Sequence, residues 1–105
     1  MLIHQFDICR LGSGERPRNA TFVVVLQHDE LNDLATLIVA PLLAELPRES
    51  HPRLHPEIWL DDRPAFLFVE RMAAIRRSEI GAIVGNVQES AWAIQRALDI
   101  AFFGF

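Results

Sequence analysis

The stretch Asn86-Val-Gln-Glu-Ser-Ala-Trp-Ala-Ile-Gln-Arg-Ala-Leu-Asp-Ile-Ala-Phe-Phe-Gly-Phe105 ends the sequence, and its reading decides the fold. Asn86-Val-Gln-Glu89 has the form of a helix start: a short polar side chain, then Glu at the third helical position. Val87, Ala91, Ile94, Leu98, Ala101 and Phe102 recur in steps of three and four and draw one apolar stripe. Trp92, Arg96, Asp99 and Phe103 fall on the opposite, polar side. The spacing predicts one amphipathic helix whose Phe103 points away from the core just before Gly104 and Phe105. Two aromatic residues around a flexible glycine read as a presented tip. The commoner arrangement has terminal rings folded back on the core.

Upstream of that helix the periodicity changes to that of strands. Residues 3–9 read as a short first strand, followed by the polar loop Arg10-Leu-Gly-Ser-Gly-Glu-Arg-Pro-Arg18. Thr21-Phe-Val-Val-Val-Leu26 is a β-branched run and the clearest strand. Residues 27–33 are polar and turn-forming. Residues 34–43 form a strand apolar on both faces, with Pro41 expected at a bulge or strand end. Residues 57–60 and 65–70 make a hairpin about Asp61-Asp-Arg-Pro64. Residues 73–77 form a shorter strand that pairs with this hairpin, and residues 78–85 read as a glycine-punctuated link. The sum is mostly β with a C-terminal helix: a small antiparallel barrel or sheet capped by that helix.

At 105 residues, half of them hydrophobic, the chain reads as a single globular domain spanning residues 1–105. The longest apolar run, residues 37–44, is interrupted by Pro41 and too short to span a bilayer, so no membrane partner is expected. The N-terminus lacks the basic start and long apolar segment of a secretory signal. One cysteine, Cys9, allows no internal disulfide. Both features fit a cytoplasmic protein. The net charge is −4, with ten arginines and no lysine, which argues against direct nucleic-acid binding. Arginine pairs carboxylates bidentately, so an acidic peptide is the easier partner.

Chemistry-bearing motifs are absent. There is no Gly-x-Ser-x-Gly elbow, no phosphate-binding Gly-x-x-x-x-Gly-Lys loop and no dinucleotide fingerprint. His51 and His55 stand four apart, but Pro52 and Pro56 break any helix that would bring them together on a metal. His28-Asp29-Glu30 is the one compact acid–base cluster and reads as a polar turn. From the residues alone the chain is a binding module with no catalytic residue, no metal and no cofactor.

The order of pieces resembles the CcdB family, the toxin half of a type II toxin–antitoxin pair. The matching residues are Gln5-Phe6, Phe22-Val-Val-Val-Leu-Gln-His-Asp29, Val39-Ala-Pro-Leu42, Leu54-His-Pro-Glu-Ile58, Met72-Ala-Ala-Ile75 and Ala97-Leu-Asp-Ile-Ala-Phe-Phe-Gly-Phe105. The resemblance implies an SH3-like antiparallel barrel and a homodimer. It further implies a toxin that binds the DNA gyrase A subunit and traps the gyrase–DNA cleavage complex, without being an enzyme. The family's terminal aromatic-Gly-apolar tip corresponds to Phe103, Gly104 and Phe105. Asp99 matches the helix position four before it, and the loop after the second strand points to His28, Glu30 and Leu31. A CcdA-like antitoxin with an acidic disordered tail is the implied partner, with Arg10, Arg16 and Arg18 taking part of the contact.

Three positions depart from the family pattern. Phe103 stands where the best-known tip has Trp, and a phenyl ring lacks the indole N–H donor. Asp99 replaces an amide, and Glu30 puts a charge where the family often has an aliphatic residue. Two alternatives accompany the gyrase reading. One is an RNA-cleaving toxin of similar barrel fold, with His28 as base and an arginine such as Arg18 as cation. The other is a gyrase-inactive relative that binds only its antitoxin.

Overall fold

A computed structural model describes residues 2–12, 22–46 and 51–105. Strands β1 (Asp7–Leu11), β2 (Phe22–Val25), β3 (Thr36–Leu43), β4 (Glu57–Leu60), β5 (Arg63–Leu67), β6 (Ala73–Arg76) and β7 (Ile80–Asn86) precede one helix, α1 (Ala91–Phe103). The strands form an antiparallel sheet in the order β4-β5-β3-β2-β1-β7, with β6 also pairing β3. The sheet curls into a half-barrel, so the expected mostly-β architecture with a terminal helix holds.

Alternation sends side chains to two cores. Ile8, Val24, Ala40, Leu42, Ile58 and Leu67 join Ile94 and Ala97 of α1 on one face. Ile3, Cys9, Val23, Val25, Leu37, Val39 and Ile80 fill the other. Both faces of the central strands are therefore buried, which explains why β2 and β3 read as nearly continuous apolar runs. Ile94 is wholly buried and contributes about 1.5–3 kcal/mol to fixing the helix on the sheet.

Several expected boundaries shift. The first strand begins at Asp7, because Phe6 adopts a left-handed backbone (φ 70) that turns residues 4–6 back on themselves. Pro41 lies inside β3, opposite Val23, and not at a bulge or strand end. Its carbonyl accepts the Phe68 N–H on the side where β3 changes partner from β6 to β5. In a strand a residue's N–H and C=O point to the same side, so the missing N–H falls in that junction and no ladder bond is lost. The hairpin turn is tighter than expected: Leu60 pairs Arg63 around Asp61-Asp62, with Asp61 at φ 57, and Pro64 lies within β5. β6 pairs β3 and not the hairpin.

The largest correction concerns residues 78–85, read as a link. They supply most of β7, which pairs β1 through two register shifts. Gly81 is required there, since a Cβ at that position would lie 2.8 Å from the Gly12 carbonyl oxygen and 3.0 Å from that of Arg10. Close backbone approach, not chain punctuation, is what this glycine provides.

Candidate functional site

The helix start is held by Asn86. Its side-chain oxygen accepts the Gln88 N–H at 2.8 Å, while its amide donates to Asp7 at 2.9 Å and to the Gln5 carbonyl at 3.2 Å. A single turn, Gln88–Ser90, follows and leads into α1. Asn86 is nonetheless not the expected helix cap: it ends β7, α1 begins five residues later at Ala91, after Ser90, and the Asn86 side chain instead ties the turn between strand and helix to β1. Ala91, Ile94, Ala97 and Leu98 face the core, but Ala101 and Phe102, placed on the same stripe by spacing, are exposed. The core ends before the helix does. Its last turn therefore projects beyond the sheet, and periodicity alone cannot show where support stops.

That last turn carries the predicted tip. Phe103 is 69% and Phe105 87% exposed, and Phe102 lies open beside them. Gly104 is left-handed (φ 84), and its N–H closes the helix on the Ile100 carbonyl at 3.0 Å. Its conformation fixes the direction in which Phe105 leaves the helix. Asp99 sits one turn earlier, half-buried. On the outer helix face the Arg96 guanidinium lies 5.7 Å from the Trp92 ring, and both border an open groove with Pro52, Arg53 and Pro56.

His28 caps the single turn Asp29–Leu31 that carries Glu30 and Leu31, and all three are exposed. His28 Nδ1 accepts the Glu30 N–H at 3.0 Å. Beneath it, buried Gln27 donates to the Leu31 and Thr36 carbonyls and accepts from the Ile38 N–H, fixing the turn to β3. The bonds of Gln5 to Asp29 and Asn86 place this turn near the start of α1. The tip lies at the other end of a 13-residue helix, about 20 Å along its axis. The turn and the tip are two patches and not one pocket. Arg10 is exposed on β1, whereas Arg16 and Arg18 lie outside the described residues.

The sequence held no signal for a polar pair between segments 25 residues apart. His4 Nδ1 meets Asp29 Oδ2 at 2.9 Å, and Asp29 Oδ1 accepts the Gln5 N–H at 2.7 Å. The Asp29 hydrogen bond and negative charge hold the His4 pKa above 6.5; the same bond, with that of Gln5, holds Asp29 below 3.8. His55 is buried and structural. Its Nδ1 accepts the His51 N–H at 3.4 Å, its Nε2 lies 2.9 Å from Glu70, and its ring stacks on Phe68 at 4.2 Å. Among the described residues no three His, Cys, Asp or Glu converge on a metal-sized site. No helix among them is long and apolar enough to cross a membrane. Burial pushes the Cys9 thiol up to about 11, as suits a packing residue.

A sheet of this topology, both faces packed and a terminal helix overrunning it, is the scaffold of small toxins from toxin–antitoxin pairs. The family model of the CcdB protein matches residues 5–104, and the chain belongs to the CcdB family of such toxins. No curated protein matches it by sequence. Among solved structures it is similar to a mycobacterial endoribonuclease in complex with its cognate antitoxin. That match has a TM-score of 0.77 at 14% identity and covers 95% of this chain and 94% of that one. It is also similar to a toxin of Mycobacterium tuberculosis, MazF-mt6, with a TM-score of 0.73 at 17% identity over 91% and 95% of the two chains. At such identities the likeness is one of fold.

It nonetheless overturns one expectation. The chain was expected not to be an enzyme, because the signatures of several enzyme classes are missing. The same fold, however, is that of an endoribonuclease. Attack by a 2′-hydroxyl needs only a base and a donor in place, which none of those signatures describes.

Proposed function

We propose that this toxin binds the A subunit of DNA gyrase and traps gyrase on cleaved DNA, as a homodimer with two C-terminal tips as its anchors. The carrying observation is the exposure of Phe103 and Phe105 beyond the last buried residue of α1. Large rings on a rigid helix end lose little conformational freedom when they enter a pocket, which is what binding hot spots require. Asp99 flanks the tip, and His28, Glu30 and Leu31 supply a second contact at the far end of the helix. Arg10, with Arg16 and Arg18, offers guanidinium groups to the acidic tail of a CcdA-like antitoxin. The site of action is the cytoplasm.

Purified gyrase with supercoiled plasmid tests this reading. The protein should accumulate linear, cleaved DNA, and deletion of Gly104 and Phe105 should abolish that while antitoxin binding persists. Cleavage trapped equally by the truncated chain would remove the tip from the mechanism. Full antitoxin binding with no effect of the intact protein on gyrase would identify a gyrase-inactive relative.

The shared fold with endoribonucleases favours a second reading, RNA cleavage. Incubation with cellular RNA, in the presence of metal chelator and nuclease inhibitors that spare the toxin, decides whether it applies.

A further inference from the structure

An open groove of about 290 Å³ separates the outer face of α1 from the segment before β4. Pro52, Pro56 and Trp92 give it apolar walls, Ala93 takes up little of its space, and Arg53 and Arg96 add two guanidinium groups. Trp92 is 70% exposed, with the Arg96 guanidinium held against its ring. The wall opposite the helix is fixed in advance. His55, buried between its neighbours, accepts the His51 N–H, meets Glu70 and stacks on Phe68, while the Pro56 carbonyl accepts the Leu67 N–H at 2.9 Å. A ligand entering a preformed groove has less to order. Neither guanidinium belongs to an ion pair among the described residues, where the ion pairs are His4–Asp29 and His55–Glu70. In a chain of net charge −4, two arginines without carboxylate partners beside an exposed indole form a local complement to negative charge.

We propose that this groove docks an acidic peptide in extended form, with one apolar side chain seated against Trp92, Pro52 and Pro56 and flanking carboxylates paired to Arg53 and Arg96. The planar guanidinium fork takes a carboxylate bidentately, so two arginines on the groove set both the charge of the peptide and its register. The apolar walls exclude water from the seated side chain and select against peptides that carry charge alone. The site is separate from the tip. Trp92 and Arg96 lie in the first two turns of α1, and Phe103 ends the helix about 10 Å beyond Arg96. The proposal requires neither the gyrase contact nor the arginines of β1 and the loop after it.

A labelled peptide of Asp and Glu with one central Leu, titrated with the full chain and followed by fluorescence anisotropy, tests the assignment. It should bind, and bind less tightly as salt rises. Replacing its Leu by Ser should weaken binding about tenfold. Arg53→Gln together with Arg96→Gln should weaken it by a similar factor, as should Trp92→Ala. Ala93→Glu should do more, since its side chain both fills the groove and repels the peptide. All four positions are exposed, so the fold tolerates these changes. Deletion of Gly104 and Phe105 should leave the affinity unchanged; a loss there would put the peptide on the tip and overturn the proposal. Equal affinity across the groove variants, or no binding by the intact protein, would overturn it as well. If the groove variants instead change self-association in sedimentation, the groove is an interface between copies of this chain and the proposal fails.

Discussion

His4 and Asp29 stabilise each other most while both are charged, and this fixes a pH window. The His4 pKa is raised above 6.5, so its contribution is complete below that value and is lost as pH rises through the folded-state pKa. The Asp29 pKa is lowered below 3.8, so its contribution is present above that value and is lost as pH falls through the folded-state pKa. The pair is therefore strongest between these two ordinary values. Asp29→Asn should lower the thermal midpoint most near about pH 5 and progressively less toward about pH 9. Both side chains are about half exposed, so salt should narrow the difference. Thermal melts of both proteins across that range, at low and high salt, check this; a difference independent of pH would show that the pair does not titrate as a unit.

At the scale of elements, the two glycines of β7 behave differently. A Cβ on Gly81 would press on backbone carbonyls of β1 and the residue after it, which cannot swing aside, whereas one on Gly85 meets only Ile8 Cδ1 at 3.5 Å. Gly81→Ala should cost about 1–3 kcal/mol and Gly85→Ala well under 1, read by urea unfolding. Equal costs would mean that the β1–β7 contact is looser than described. The same strand marks where the sequence was legible. β2, β3 and the β4–β5 hairpin announced themselves through β-branched runs and turn residues, which are local signals. β7 did not, because Gly81 answers to β1, about seventy residues earlier, and alone looks like a break. α1 was legible up to Leu98; Phe102 was misplaced because periodicity shows a face without showing where the sheet beneath it ends. His28, Glu30 and Leu31 were found as a turn. The His4–Asp29 pair was invisible, since the fold alone brings residues 4 and 29 together.

For the whole molecule, the decisive quantity is how many tips engage at once. In the proposed dimer each protomer carries one helix end whose rings lie outside its own core. Under the proposed function the target is itself twofold, and two tips would dock on two equivalent surfaces. The second docking is then intramolecular, with an effective concentration set by the rigid spacing of the helices, and avidity exceeds single-tip affinity by about 10²–10⁴. A fused dimer of two copies, with Gly104 and Phe105 deleted from only one, isolates this term. One intact tip should leave far less than half of the gyrase poisoning, with potency falling at least about tenfold, whereas antitoxin binding should be unchanged. A fall of only twofold would mean that each tip acts alone. Spacing between the helix ends would then have no part in the mechanism, and dimerisation would serve the fold and not the target.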